Sequence, residues 1–183
     1  MTDVTVRWPQ GPMTLSVDRA GPPRFQLDNG LRRWFERNLG LWSSKRLYFF
    51  EGEEPLRLDM ALRVEGLSDA GEPEARYRFT WWTEQDYNFF ERKPALPREG
   101  SMEASLCGHQ LRRTHLLLGT SPVTTRIRQV DEHQVTFETH VNELHVLEHI
   151  RLVDQDRFRA RSIFTWRGGK LEVSEMHHEV RRS

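Results

Sequence analysis

The chain has 183 residues, 27 basic and 27 acidic side chains, and a formal net charge of zero. That length suits one domain with a real core, and the balanced charge speaks against a general polyanion binder. No apolar run approaches the roughly 18–20 residues of a membrane span, the N-terminus has no signal-peptide apolar stretch, and the lone Cys107 excludes an internal disulfide framework. We therefore expect a soluble, cytoplasmic protein with no nucleic-acid and no membrane partner. Of the 27 basic residues 24 are Arg. Codon bias accounts for this, and so does recognition of a planar anion by the bidentate guanidinium fork; both readings stay open.

In chain order, residues 1–25 are rich in Pro and Gly and read as an N-terminal extension, with one short strand expected at Thr14–Val17. Residues 26–183 are expected to form a single domain. Leu31, Trp34, Phe35 and Leu39 make a helical apolar stripe. Asp28 or Asn29 is placed to cap its start, and Gly40 to cap its end.

After Gly40 the period changes from 3.6 to 2. Alternation marks strands over 57–64, 76–81 and 157–166, and further strands are expected over 46–51, 101–107, 111–118, 123–130, 134–140, 147–153 and 171–180. Turn signals such as Gly168-Gly169 separate them. About ten short strands after one helix, with no alternating helices, predict a mainly β, antiparallel meander. A sheet that long most economically closes into a barrel, which removes its edges and leaves room for one small ligand.

The chain has no glycine-rich phosphate loop, no G-x-S-x-G, no C-x-x-C and no H-E-x-x-H. His133, His140, His145, His149, His177 and His178 cluster late, but no Cys or carboxylate spacing completes a recognised ligand set, so no metal is expected. Cys107 reads as an inert thiol. The aromatic residues Trp34, Trp42, Trp81, Trp82, Tyr87, Phe89, Phe90 and Trp166 build either a bulky core or an aromatic-walled pocket. Arg157, Arg159 and Arg161 share one strand face, with Glu148 about one strand upstream. That face is either solvated and ion-paired, or aimed inward to clamp ligand carboxylates beside an acid.

The segment Trp34-Phe35-x-x-Asn38-x-Gly40-x-Trp42-x-Ser44-x-Arg46-x-Tyr48 resembles the opening signature of the S/U-type phycobiliprotein lyases. Val64-Glu65-Gly66-Leu67, Phe79-Thr80-Trp81, Glu99-Gly100-Ser101-Met102, Leu111-Arg112-Arg113, Pro122-Val123, Glu148-His149-Ile150, Arg159-Ala160-Arg161-Ser162 and Glu179-Val180-Arg181-Arg182 are similar to that family's later segments, in order, from about residue 31 to 182.

The resemblance implies a lipocalin-like barrel of about ten strands with one short N-terminal helix. It also implies a lyase that attaches an open-chain tetrapyrrole (bilin) by a thioether bond to a cysteine of an apo-phycobiliprotein subunit, the chemistry of chromophore attachment in photosynthetic phycobilisomes. The alternative is a non-catalytic carrier of a bilin or another small hydrophobic ligand. Phycocyanobilin or phycoerythrobilin would be substrate, with no cofactor, and the acceptor cysteine would belong to the partner; a homodimer or a second lyase subunit is left open. By position, Arg159 and Arg161 would hold the propionates, Glu148 would contact or protonate pyrrole nitrogens, and Trp81 would wall the pocket. Arg46 and Ser44 would help seat the bilin. Asp86, or Glu84, is the candidate for a second acid, and Tyr87 and Ser162 are further candidates for bilin contact.

Overall fold

The structure, a computed structural model, describes residues 29–67, 74–92, 97–115 and 121–182. The extension over residues 1–25 and its expected strand lie outside them. Ten strands form: β1 (Gly40–Phe50), β2 (Leu56–Gly66), β3 (Ala75–Thr83), β4 (Glu99–Cys107), β5 (Gln110–Arg113), β6 (Val123–Gln129), β7 (Gln134–Val141), β8 (Leu144–Val153), β9 (Phe158–Arg167) and β10 (Lys170–Arg181). Each pairs antiparallel with its sequence neighbours, and β1 also pairs with β10, from Trp42 opposite Arg181 to Phe50 opposite Val173. The sheet is a closed, lipocalin-like barrel and has no free edge. Among the described residues no helix is long and apolar enough to cross a membrane.

Every segment read as a strand in the described residues is one, with shifted ends. β1 starts at Gly40 rather than Arg46, and β5 stops at Arg113. A second short helix, α2 (Phe89–Arg92), was not expected; it buries Phe89 and Phe90.

The first helix, α1 (Asn29–Arg37), closes the barrel end at which β1 begins. Nine residues are too few for a stable isolated helix, so tertiary contacts hold it. Leu31, Trp34 and Phe35 are buried, and Phe35 stacks on Tyr77 with ring centroids 4.8 Å apart. Arg37 donates to both carboxylate oxygens of Asp156, from Nε at 2.8 Å and Nη2 at 2.6 Å. Arg181 donates to the carbonyls of Arg37 and Leu39 and so satisfies the helix C-terminus. Gly40 therefore does not cap the helix. It opens β1 at a φ of 119°, and a Cβ there would lie 3.1 Å from the Arg181 guanidinium.

On β4, Gly100 lies opposite Trp81 of β3, and a Cβ at Gly100 would come within 2.4 Å of the Trp81 indole. Gly100→Ala must push the ring aside, and overpacking of this kind costs about 1–3 kcal/mol. We expect a lower denaturation midpoint together with a shifted Trp emission maximum. An unchanged midpoint and spectrum would mean that the indole has room to move.

Candidate active site

Strand parity decides which side chains enter the barrel. From β1 these are Ser44, Arg46 and Tyr48; from β9 Arg159, Arg161 and Ile163; from β10 Glu175, His177 and Glu179; and Glu148 enters from β8. Charged residues thus occupy the interior of one arc, and they are paired there. Arg159 donates from Nε to Glu179 and from Nη1 to Asn38 Oδ1 at 3.0 Å. Its guanidinium lies 4.5 Å from the centre of the Trp42 ring, to which Arg181 also comes within 4.3 Å. Ser44 Oγ donates to Glu179 Oε1 at 3.0 Å and accepts from Arg46 Nε at 3.1 Å. Glu148 sits between Arg161, 2.6 Å away, and Arg113 of β5, 3.4 Å away. Glu175 Oε2 is 2.9 Å from His177 Nε2.

A cavity adjoins this cluster. The aromatic side chains of Trp34, Phe35, Phe79, Trp81 and Phe137 line it together with Arg46, Arg113, Arg159, Arg161, Glu148, Glu175 and His177. The cavity opens to solvent, and the space free of protein atoms within it and its mouth is about 830 Å³.

Four guanidiniums (Arg46, Arg113, Arg159 and Arg161) meet three carboxylates (Glu148, Glu175 and Glu179), an excess of one positive charge with all three ionised and of two with Glu175 protonated. Among the described residues, Arg46 is the cavity guanidinium with no carboxylate ion pair. Trp81 Nε1, Arg113 Nε, Arg159 Nη2 and His177 Nδ1 are buried without a hydrogen-bond partner. Each such atom costs about 1–3 kcal/mol, so a polar ligand that satisfies them binds favourably.

The carboxylates differ in their titration. Burial pushes Glu175 up to about 7, only partly opposed by Arg161 and Arg46. Burial also acts on Glu148 and Glu179, but the guanidiniums of Arg161 and Arg113, and of Arg159 and Arg161, outweigh it and hold both below the usual carboxylate range. Burial, reinforced by Arg46 and Arg161, pushes His177 well down, so its imidazole is neutral. The site therefore holds two permanent anions beside one acid that is half protonated near neutral pH.

Because Glu175 binds its proton more tightly in the fold, its contribution to stability is present below pH 4.5 and is lost as pH rises to about 7. The loss amounts to about 3 kcal/mol. His177 runs the other way, contributing stability above pH 6.5 that is lost as pH falls through its depressed folded value. Comparison with Glu175→Gln isolates the glutamate. Between pH 5 and pH 8 in urea, wild type should lose about 2–3 kcal/mol relative to the variant. An equal difference at both pH values would mean that Glu175 titrates normally.

Of the residues singled out from the sequence, Arg46, Trp81, Glu148, Arg159 and Arg161 meet at the cavity. Ser44 is buried behind Arg46, on Glu179. The fold does not bring Asp86, Tyr87 or Ser162 there. Asp86 lies in the exposed segment after β3, 3.3 Å from Arg98. The Tyr87 hydroxyl accepts the Asp59 backbone N–H at 2.8 Å. Ser162 has the opposite parity to Arg161 on β9. Glu84 pairs with Arg182, and Arg157 is exposed beside Asp154. Asn38, Arg113, Glu175, His177 and Glu179 were missed as site residues.

The chain matches no protein-family model and no curated protein by sequence. Its structure is similar to that of the S-type phycobiliprotein lyase CpeS from Guillardia theta, with a TM-score of 0.60 and 16% identity over 84% of this chain and 93% of that one. It is also similar to a protein of unknown function from the DUF3598 family of Nostoc punctiforme, with a TM-score of 0.57 and 14% identity over 80% of this chain and 48% of that one. A third similar structure is Rv2717c of Mycobacterium tuberculosis, with a TM-score of 0.51 and 12% identity over 86% of this chain and 100% of that one. At these identities the likeness establishes a shared barrel fold.

Proposed function

We propose that this protein binds a bilin and delivers it to a cysteine of an apo-phycobiliprotein subunit. The observation that carries the reading is the aromatic-walled cavity with surplus guanidinium charge and a carboxyl group that titrates near neutrality, in a barrel fold shared with an S-type phycobiliprotein lyase.

In this reading a propionate of the bilin lies on Arg46, supported by the unpartnered donors of Arg113 and Arg159. Ionised Glu148 accepts pyrrole N–H groups. Glu175, rather than Asp86, supplies the proton that makes the tetrapyrrole cation more electrophilic at its ethylidene carbon. The partner's thiol then adds across the ethylidene double bond. A carbon–sulfur bond forms, the thiol proton is released, and the proton from the acid stays on the tetrapyrrole; nothing is oxidised and no group leaves. The bilin is substrate, and the step calls on no metal or nucleotide. The cavity opens to solvent, so the propionate end enters while the reacting ring stays near the mouth, within reach of the acceptor.

Incubation with phycocyanobilin and apo-phycobiliprotein subunits tests this directly. Acid-stable chromophore on the acceptor is expected, with transfer falling in Glu175→Gln and in Arg46→Met. Bilin binding without transfer to any subunit would instead identify a carrier.

A further inference from the structure

On the outer face of the barrel, at the end remote from α1, the β7–β8 hairpin brings three side chains together. Glu138 and His140 are two residues apart on β7, and His145 of β8 lies directly opposite His140. Both imidazole Nε2 atoms are 3.3 Å from the same oxygen, Glu138 Oε1. All three ligand atoms lie within 4.8 Å of one another. The imidazoles are stacked, with centroids 4.1 Å apart, and His145 stacks in turn on Trp166 of β9 at 4.9 Å.

From this geometry we infer a transition-metal site that clamps β7 to β8, with Glu138, His140 and His145 as ligands to Zn²⁺. Zinc bonds to imidazole nitrogen and carboxylate oxygen at about 2.0–2.1 Å in tetrahedral geometry, which sets neighbouring donor atoms about 3.3 Å apart. Two of the three donor–donor distances already have that value. Two imidazoles and a carboxylate suit zinc or copper rather than calcium or magnesium. The half-exposed to exposed side chains give an ion direct access, and three protein ligands leave a fourth position for water or a donor from a partner. The cluster stands apart from the interior cavity, so this inference holds or falls independently of bilin binding.

Equilibrium dialysis of the tag-free protein against ZnCl₂ is the test. One Zn²⁺ per chain is expected. Its affinity should fall in His140→Ala/His145→Ala by more than the roughly 10–100-fold that even an outer-sphere partner of a metal site contributes. Trp166 supplies a second readout. Cu²⁺ should quench part of the Trp emission, and that part should vanish in Trp166→Phe as well as in the double variant. All three positions are on the outer face, so circular dichroism should show an unchanged barrel. Failure to bind stoichiometric Zn²⁺, or binding and quenching that persist in the double variant, would overturn the assignment.

Discussion

Glu179→Ala is expected to destabilise the protein by about 3–5 kcal/mol, because it leaves the Arg159 guanidinium charged and unpaired in the barrel interior. Arg159 and Glu179 are almost wholly buried, with side-chain exposures of 3% and 0%. The carboxylate also accepts from Ser44 Oγ, so its loss frees a second buried donor. What remains to Arg159 is Asn38 Oδ1 and the Trp42 ring, and neither carries a full negative charge. At roughly 2–4 °C per kcal/mol for a chain of this size, the melting temperature should drop by about 10 °C. Joint replacement, Arg159→Met with Glu179→Leu, should recover part of the loss, since removing both charges avoids the orphan. A single variant that melts with wild type would show that water reaches Arg159 and screens it.

Arg46→Met is expected to weaken binding of a carboxylate ligand by about 10–200-fold, the range that corresponds to about 1.5–3 kcal/mol for a hydrogen bond to a charged group. Arg159 and Arg161, which the family resemblance implies hold the propionates, line the cavity and are each ion-paired there. Arg159 pairs with Glu179, and Arg161 with Glu148. Replacing either with Leu therefore confounds binding with stability. Arg46 donates to Ser44 Oγ and has no carboxylate ion pair among the described residues, so Met keeps its bulk without orphaning an anion. The substitution also removes one of the charges that oppose the burial of Glu175. Glu175 should therefore stay protonated to a still higher pH, and its NMR titration in Arg46→Met checks this separately. Unchanged affinity for a bilin in Arg46→Met would place the propionates away from Arg46.

The barrel was legible because most strands alternate strictly and turn residues break them at regular intervals. The segment Trp42-x-Ser44-x-Arg46-x-Tyr48 is this rule at work: these side chains face inward on β1, and the residues between them face outward. The composition of the site was harder to read. On β10 the usual sense of alternation is inverted, with Glu175, His177 and Glu179 buried while Met176 and Val180 are about half exposed. Phe158 and Arg159 on β9 show the same inversion. An apolar-inside rule applied to these strands points every side chain the wrong way, because here the interior is a polar cluster stabilised by mutual pairing. Strand parity relative to β1 would have found Glu175 and His177, since Glu179 lies opposite Ser44 and His177 opposite Arg46. Arg113 was beyond local pattern, for it meets Glu148 only through barrel curvature. Asp86 was drawn in by nearness to Trp81 in sequence, yet β3 ends at Thr83 and the chain turns outward before reaching it.

The most direct test of the central claim, that the interior arginine cluster is the anion-binding end of a bilin site, is an absorption titration of the purified protein with phycocyanobilin, repeated with phycoerythrobilin and with Arg46→Met. The account predicts saturable 1:1 binding with a red-shifted, sharpened band, and affinity lowered about 10–200-fold in a variant that melts near wild type. No spectral change with either bilin would contradict it, and so would equal affinity in wild type and Arg46→Met.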